Sequence, residues 1–597
     1  MIRLLYSFLM WGSLLVSCTA PAPDQVVAPT QKVPPNVLFI ITDDQGWGDL
    51  SLHGNTNLTT PNLDRLARRG VRFDHFYVSP VCSPTRAEIL SGRHALDVGV
   101  TGTGAGRERL DTGVVLLPEL FQEAGYATAA FGKWHNGTQP PYHPRSRGFH
   151  DFFGFSSGHW GQYYNAPLLE DNDRLVTGTG FLPDELTSRA IRYIDAQDDR
   201  PWFVWLAYPT PHSPMQIEGK EWQGQLGTNL SRRYEGPGTE DTTFTRAALA
   251  MVENIDNNVG RLLGTLNDLQ LRERTLVVFV SDNGPNSWRW NGGMRGRKGS
   301  TDEGGVRVPF FLNHRGSLPE NHRVDHLASA RDLLPTLAAY TGLETPNGLP
   351  GRDLSPLLTP DTSLAWPERT VTSQWQEAAS VRSTNFRLST DSSLYDMRLV
   401  TGQRTDLRDS FPDVWTRLLA ERATFIEEVM RPGLRTDTRP FTVGHPSATR
   451  TLLPARDATA TAPIERSSRW PNCSYFTAWT DSSAYVQWPV EVLRDGLYSA
   501  TLYYTLRAED QGAQVRLTAT GGATDLAAPP VHDPPLLGKA LDRVPRDESY
   551  VKDFRPVSLG TIPLRAGLDT LRLRAPIIPG RQAVDVRLLV LTHPTPQ

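Results

Sequence analysis

Residues 81–93 read Val-Cys-Ser-Pro-Thr-Arg-Ala-Glu-Ile-Leu-Ser-Gly-Arg, and their types and order set up an anion site. Pro84 suits the first turn of a helix, Ser83 can cap that turn and Gly92 can end it, which puts Cys82 just outside a helix N-terminus. Unpaired backbone N–H groups and the positive end of the dipole then face whatever anion approaches Cys82, and Arg86, one turn in, adds a fixed positive fork. A second group offers oxygen ligands: Asp43 and Asp44 follow one apolar run, Asp282 and Asn283 another. Three carboxylates and an amide suit a hard divalent cation, calcium above all, whereas zinc favours imidazole or thiolate. Lys133, His135 and His212 add charge and proton carriers. A buried cysteine before a short helix and a capping pair of aspartates would give the same letters, so the chemistry depends on the elements that bring these groups together.

Those elements can be read from periodicity. Residues 36–42 form a continuous apolar run of strand length, as in a strand buried on both faces. A helix at 61–70, a strand at 71–78, a helix at 116–125, strands at 126–131 and 201–208, a long helix at 244–269 and a strand at 275–280 follow. A strand at 308–313 and a helix at 331–342 complete the series. This alternation predicts an α/β fold with a mostly parallel sheet sandwiched by helices, in which ligands gather beyond the carboxyl ends of the strands. Asp43 and Asp44, Lys133 and His135, His212, and Asp282 with Asn283 each follow an expected strand and so fall on that edge. The catalytic domain is therefore read as 36–365. Short strands, one at 380–390, and a helix near 412–430 make a small antiparallel-sheet subdomain over 366–435, and a Thr/Pro/Arg-rich linker fills 436–462. Residues 463–597 alternate at 484–490, 496–504, 513–519 and 584–590, which suggests a β-sandwich. Its Trp-x-Val and Gly-x-Tyr phrasing is similar to jelly-roll carbohydrate-binding modules; a purely structural domain fits equally well.

At 597 residues, with 39% hydrophobic and 21% charged and a formal charge of -4, the chain has no basic surface for nucleic acid and no electrostatic case for membrane binding. Residues 1–17 carry Arg3 and an apolar run at 4–16, too short to span a bilayer and right for a secretory signal. The run ends in Leu15-Val16-Ser17-Cys18, which resembles the lipobox of bacterial lipoproteins. That resemblance implies lipid on Cys18, a Pro-rich tether over 18–35, and an exported protein anchored to a membrane at the periplasmic or cell surface; a signal peptide cut nearby is the other reading. Of the three cysteines, only Cys473 then lacks a chemical role, and it is read as a packed or idle thiol with no disulfide partner.

The string from Cys82 to Arg86, with Leu90-Ser91-Gly92-Arg93, resembles the signature of the type I sulfatases of the alkaline phosphatase-like superfamily; Ser91 stands where threonine is commoner. The resemblance implies that a maturation enzyme oxidises Cys82 to formylglycine (3-oxoalanine), whose hydrate carries two hydroxyls on one carbon, one to attack sulfur and one to expel sulfate. Residues 42–48 and 281–284 resemble the blocks that hold Ca²⁺ in that family, which implies a metal set of Asp43, Asp44, Asp282, Asn283 and the oxygen of modified Cys82. Gly132-Lys133-Trp134-His135 is similar to its second signature, with Asn136 replacing leucine. By that match Lys133 binds sulfate or the formylglycine oxygen, and His135 takes a proton as sulfate is expelled. Residues 210–214 and 298–309 resemble two later blocks, in which His212 and Lys298 neutralise sulfate oxygens and His212 protonates the leaving alcohol; Thr301 and Asp302 depart from the usual pair. These blocks run in family order over 36–313, with a weaker likeness to about 430.

Two loops are expected to shape selectivity: 143–165, with Phe149, Trp160 and Tyr163, and 285–298, with Trp288, Arg289, Trp290 and Asn291. Rings offer apolar faces to sugar C–H surfaces, while Arg and Asn bond hydroxyls or carboxylates. Trp160, Arg289, Trp290 and Asn291 are the expected substrate contacts. The implied activity is removal of sulfate from a sulfated carbohydrate. A formylglycine-dependent phosphonate or phosphate ester hydrolase, and an inactive glycan-binding lipoprotein, are the alternatives.

Overall fold

The computed structural model describes residues 34–361, 365–398, 402–434 and 437–593. The leader at 1–17, Cys18 and nearly all of the tether lie outside the described residues. Everything below concerns the unit from Pro35 onward.

A ten-stranded sheet organises the first half. Asn36–Asp43 lies at its centre, parallel to Trp202–Pro211 on one side and to Thr275–Ser281 on the other. Trp202–Pro211 continues in parallel to Ala127–Lys133, which pairs in parallel with Asp151–Phe155. Phe310–Asn313 joins the other flank antiparallel, beside Val71–Phe73. The central strands are buried at every position, and their alternate side chains enter two different cores. Val37, Phe39 and Ile41 pack with Ile89, Leu90, Leu333 and Leu337 on one face. Leu38 and Ile40 pack with Leu63, Leu186, Met251 and Leu262 on the other. The expected α/β architecture is the observed one, with local differences. Residues 71–78 split into Val71–Phe73 and Phe76–Tyr77, which belong to different sheets.

A four-stranded antiparallel sheet follows, Val371–Trp375, Ala378–Arg382, Phe386–Leu388 and Leu394–Asp396, covered by the helix Pro412–Phe425. Two further sheets then enclose one apolar core that includes Trp488, Tyr498, Leu502, Leu573 and Leu589. Their long strands are Tyr485–Val492 and Gly567–Ile577 in one, and Gly496–Thr505, Arg555–Leu564 and Asp585–Thr592 in the other. This sandwich begins earlier than its expected start at 463. The expected linker contains Phe441–Val443, paired with Tyr485–Val492, and Arg450–Pro454, paired with Asp585–Thr592. Its threonines, prolines and arginines mark short edge strands rather than a tether.

Among the described residues no helix is long and apolar enough to cross a membrane.

Candidate active site

Cys82 begins the helix Cys82–Ser91 as its first residue; Val81, in extended conformation, occupies the cap position that Ser83 was expected to fill. Gly92 ends the helix in the left-handed region, at φ 68°. All ten residues of this helix are buried, so its terminus is shielded from open solvent. Burial pushes the Cys82 thiol above its ordinary range against the pull of Lys133 and Lys298, with Asp43 and Asp282 adding to the rise. A thiol kept protonated is a weak nucleophile.

The strand ends bring the other groups to the same place. Lys133 Nζ meets Asp43 Oδ2 at 2.7 Å, and Lys298 Nζ meets Asp44 Oδ1 at 2.6 Å. Asn283 Nδ2 donates to Asp44 Oδ1 at 2.7 Å, and the backbone N–H of Asp44 donates to Asp282 Oδ1 at 3.3 Å. One donor atom each from Asp43, Cys82 and Asp282 lies within 4.8 Å of the others. Asp44 and His135 both take left-handed backbone conformations, at φ 68° and 70°, one and two residues past the ends of their strands. Such strain persists where the surroundings over-determine it, as at binding sites. Gly132, within the second strand, has φ +109°, and any Cβ there would lie 1.9 Å from the carbonyl oxygen of Ala207.

The electrostatics of this cluster are unbalanced. Asp282 is held above the ordinary carboxylate range by burial and by Asp43, in spite of Arg86 and the lysines. Asp44 is held below it, because Lys298 and His212 outweigh the cost of burial. Asp43 Oδ1, Asp44 Oδ2 and Asn283 Oδ1 are buried acceptors with no hydrogen-bond partner. Each such orphan costs about 1–3 kcal/mol. A hard cation would satisfy all three at once, so the residues present fit calcium.

Arg86 departs from its expected role at the anion. Its Nε and Nη2 both donate to Asp282 Oδ2, at 3.0 and 2.8 Å, and Nη1 donates to the Lys133 carbonyl at 2.8 Å. It is fully buried and positions Asp282 against the second signature strand.

The histidines have defined tautomers. His135 Nε2 donates to the Thr103 carbonyl at 3.0 Å, which leaves Nδ1, buried and unpartnered, as the bare nitrogen. Burial, with Lys133 nearby, holds His135 well below the usual imidazole range, so that nitrogen carries no proton at rest. His212 Nδ1 donates to the Ser213 carbonyl at 2.8 Å, and its Nε2 faces Asp44 Oδ2 at 3.8 Å.

The expected substrate contacts fare differently. Arg289 is buried against Asp49, with Nη2 at 2.5 Å from Oδ2, and also donates to the Asp44 carbonyl at 3.0 Å. Asn291 accepts from the Gly48 backbone at 2.6 Å and donates to Gly304. Trp160 stacks on Phe155 and donates to Pro167, and Arg587 lies over its ring. Phe149 is core, and the Tyr163 hydroxyl donates to Pro209 and Ser213 carbonyls that frame His212. These five hold the site's shape. Trp290 and Asn291, with Tyr234, Met294 and Arg295, border a cleft of about 360 Å³. Arg289→Ala is therefore expected to cost about 3–5 kcal/mol in denaturant unfolding, because it strands the buried Asp49 carboxylate. A variant of unchanged stability whose only defect was a raised KM would restore the substrate-contact role.

Sequence reasoning missed the residues that the sandwich brings. Asn472 Nδ2 donates to the same Thr103 carbonyl that orients His135, at 3.1 Å. Glu548 Oε1 accepts from Ser213 Oγ at 2.7 Å, beside His212. Cys473, read as a packed or idle thiol, is packed, and its Sγ donates to the His159 carbonyl at 2.8 Å. Burial pushes its thiol up to about 12, which keeps it a donor. None of these carries a local signal, since each depends on a contact more than 300 residues away.

A parallel sheet whose carboxyl edge gathers buried carboxylates, lysines and imidazoles around one cysteine defines a hydrolase of anionic esters in the alkaline phosphatase-like mould. Residues 35–343, just over half of the chain, match the Sulfatase family model. The chain belongs to the sulfatase family. Human arylsulfatase A is 36% identical over 363 residues, which cover 54% of this chain and 68% of that protein. The N-acetylgalactosamine-6-sulfatase of Canis lupus familiaris is 34% identical over 362 residues, 54% of this chain and 66% of that one, so the chain spans about two thirds of that relative's length. The structure of Ps i-CgsB in complex with k-i-k-neocarrahexaose matches with a TM-score of 0.59 at 26% identity, covering 68% of this chain and 95% of that one.

Proposed function

We propose that this protein hydrolyses sulfate esters of a carbohydrate, with Cys82 oxidised to formylglycine and one Ca²⁺ held by Asp43, Asp44, Asp282 and Asn283. The observation that carries the reading is the set of unpartnered acceptor oxygens beside Cys82, flanked by the buried Lys133 and the partly buried Lys298. Formylglycine, once hydrated, supplies a hydroxyl to attack sulfur and a second to expel the sulfate. Bound calcium supplies positive charge for the sulfate oxygens. Lys133 and Lys298 add fixed charge at the same place, paired with Asp43 and Asp44. His135 takes a proton at Nδ1 while Thr103 keeps Nε2 protonated. His212 works through Nε2, Nδ1 being committed to Ser213, and with a proton on both nitrogens gives the one on Nε2 to the alkoxide, a poor leaving group without one. Arg86 keeps Asp282 in place.

A saccharide substrate accords with relatives that act on sulfated sugars by name and with the polar mouth described below. Mass mapping of the residue 82 peptide, from protein made beside a maturation enzyme, is the direct test. Conversion exchanges sulfur for oxygen, and an unmodified thiol in active protein would sink the reading. Phosphodiester turnover on matched leaving groups provides the control, since the phosphonate monoester hydrolase of Agrobacterium radiobacter shares the fold at a TM-score of 0.51. Calcium added to metal-stripped protein is expected to raise stability by about 2.7 kcal/mol at a hundred-fold excess over Kd, and Asp43→Asn to abolish that gain. Export, with lipid on Cys18, belongs to the same proposal; Cys18→Ala is expected to release the protein from the membrane fraction.

A further inference from the structure

His159 is 3% exposed, yet neither ring nitrogen has a hydrogen-bond partner. Buried polar atoms left in this state point to a ligand. The ring lies 5.3 Å from that of His212, centroid to centroid. One donor atom each of His159, His212 and Glu548 falls within 4.8 Å of the others. The sandwich fixes both ends of this arrangement. Cys473 Sγ holds the His159 carbonyl, and Arg546 Nη1 donates to Gly161 at 2.5 Å. Glu548, two residues on from Arg546, is tied to Ser213.

We propose that His159 and Glu548, joined by the docking of the C-terminal sandwich beside His212, form a binding subsite for adjacent free hydroxyls on the saccharide that leaves. This rests on the sulfatase reading, in which His212 faces the leaving oxygen. Burial holds the His159 imidazole down at about 3, so the ring is neutral and offers one N–H and one lone pair. Glu548, which accepts from the Ser213 hydroxyl at 2.7 Å, is a carboxylate at neutral pH and only accepts. A hydroxyl both donates and accepts and matches the imidazole; a neighbouring hydroxyl donates to the carboxylate. A uronate or a second sulfate at that position would meet the Glu548 charge and be rejected.

The test compares Glu548→Gln and His159→Phe with the parent, fully matured protein on two kinds of substrate. One is whichever of the hexoses monosulfated at O2, O3, O4 or O6 turns over best; the other is an aryl sulfate, which has no hydroxyl to bind. Each variant is expected to lose about ten- to hundred-fold in kcat/KM on the saccharide, mainly through KM, and far less on the aryl ester. Removing the neighbouring hydroxyl from the sugar should make the Glu548→Gln and parent rates converge. Equal losses on both substrates would reduce the pair to a structural role and overturn the subsite. So would aryl turnover with no hexose sulfate accepted, a result that leaves the sulfatase reading standing. Silence on both substrates by the parent would fail that reading instead, and the subsite with it. Zinc chloride binding tightly to the parent but not to His159→Phe would make the cluster a metal site and overturn the proposal.

Discussion

Cys82→Ser protein, mixed with excess aryl sulfate, releases at most one equivalent of phenol and then stops. Serine keeps a hydroxyl to attack sulfur but has no second hydroxyl on the same carbon to push the sulfate away, so the ester formed on residue 82 persists. Steady-state turnover falls by about 10⁴-fold or more, the scale on which losing a nucleophile acts. Stopped-flow burst amplitude and the mass of the trapped protein read this directly. Continued turnover at more than a hundredth of the parent rate would show that residue 82 needs only one oxygen, and the formylglycine mechanism would fall.

Arg456→Ala is expected to cost about 3–5 kcal/mol at neutral pH, as large an effect as any single change away from the catalytic residues. Arg456 is 1% exposed and lies between the sandwich and the catalytic domain. Its Nη2 faces Glu108 Oε1 at 3.4 Å, its Nε faces Asp457 Oδ1 at 3.3 Å, and Nη1 donates to Ser157 Oγ at 2.8 Å. The variant leaves two buried carboxylates without their cation. Burial already raises the Glu108 carboxyl, with Asp457 adding to the rise, and the loss of Arg456 raises it further. A carboxyl raised in the folded state contributes full stability below its unfolded value, about 4.3, and loses it as pH climbs through the folded value. The variant should therefore recover stability as pH falls from 7 toward that value, and by more than the parent. Urea unfolding at both ends of the range checks this. A neutral-pH loss below about 1 kcal/mol would mean that the junction behaves as an exposed surface.

How much of this was legible depended on distance along the chain. The central sheet was readable because its strands are buried on both faces and carry apolar runs, with polar residues only toward their ends. Asp43, Asp44, Lys133, His135 and Asp282 occupy those stopping points, so their shared edge followed from fold class alone. The fates of Arg289 and Asn291 did not. A charged or amide side chain in an aromatic loop looks the same whether it meets substrate or Asp49, and only packing decides. Arg86 was misassigned for the same reason, its partner Asp282 being 196 residues away. The start of the sandwich was missed because its first strands are short and pair with strands more than 40 residues later.

The burial of residue 82 also sets a clock. The thiol is 3% exposed, and Asn472 and Glu548, which finish the rim, are among the last parts of the chain to emerge. On the proposed function, an oxidising partner would have to reach its target while the polypeptide is still extended. Molecules that folded without that encounter would be locked out of service, and supplying the partner afterwards should rescue them only once they have been unfolded and allowed to start again.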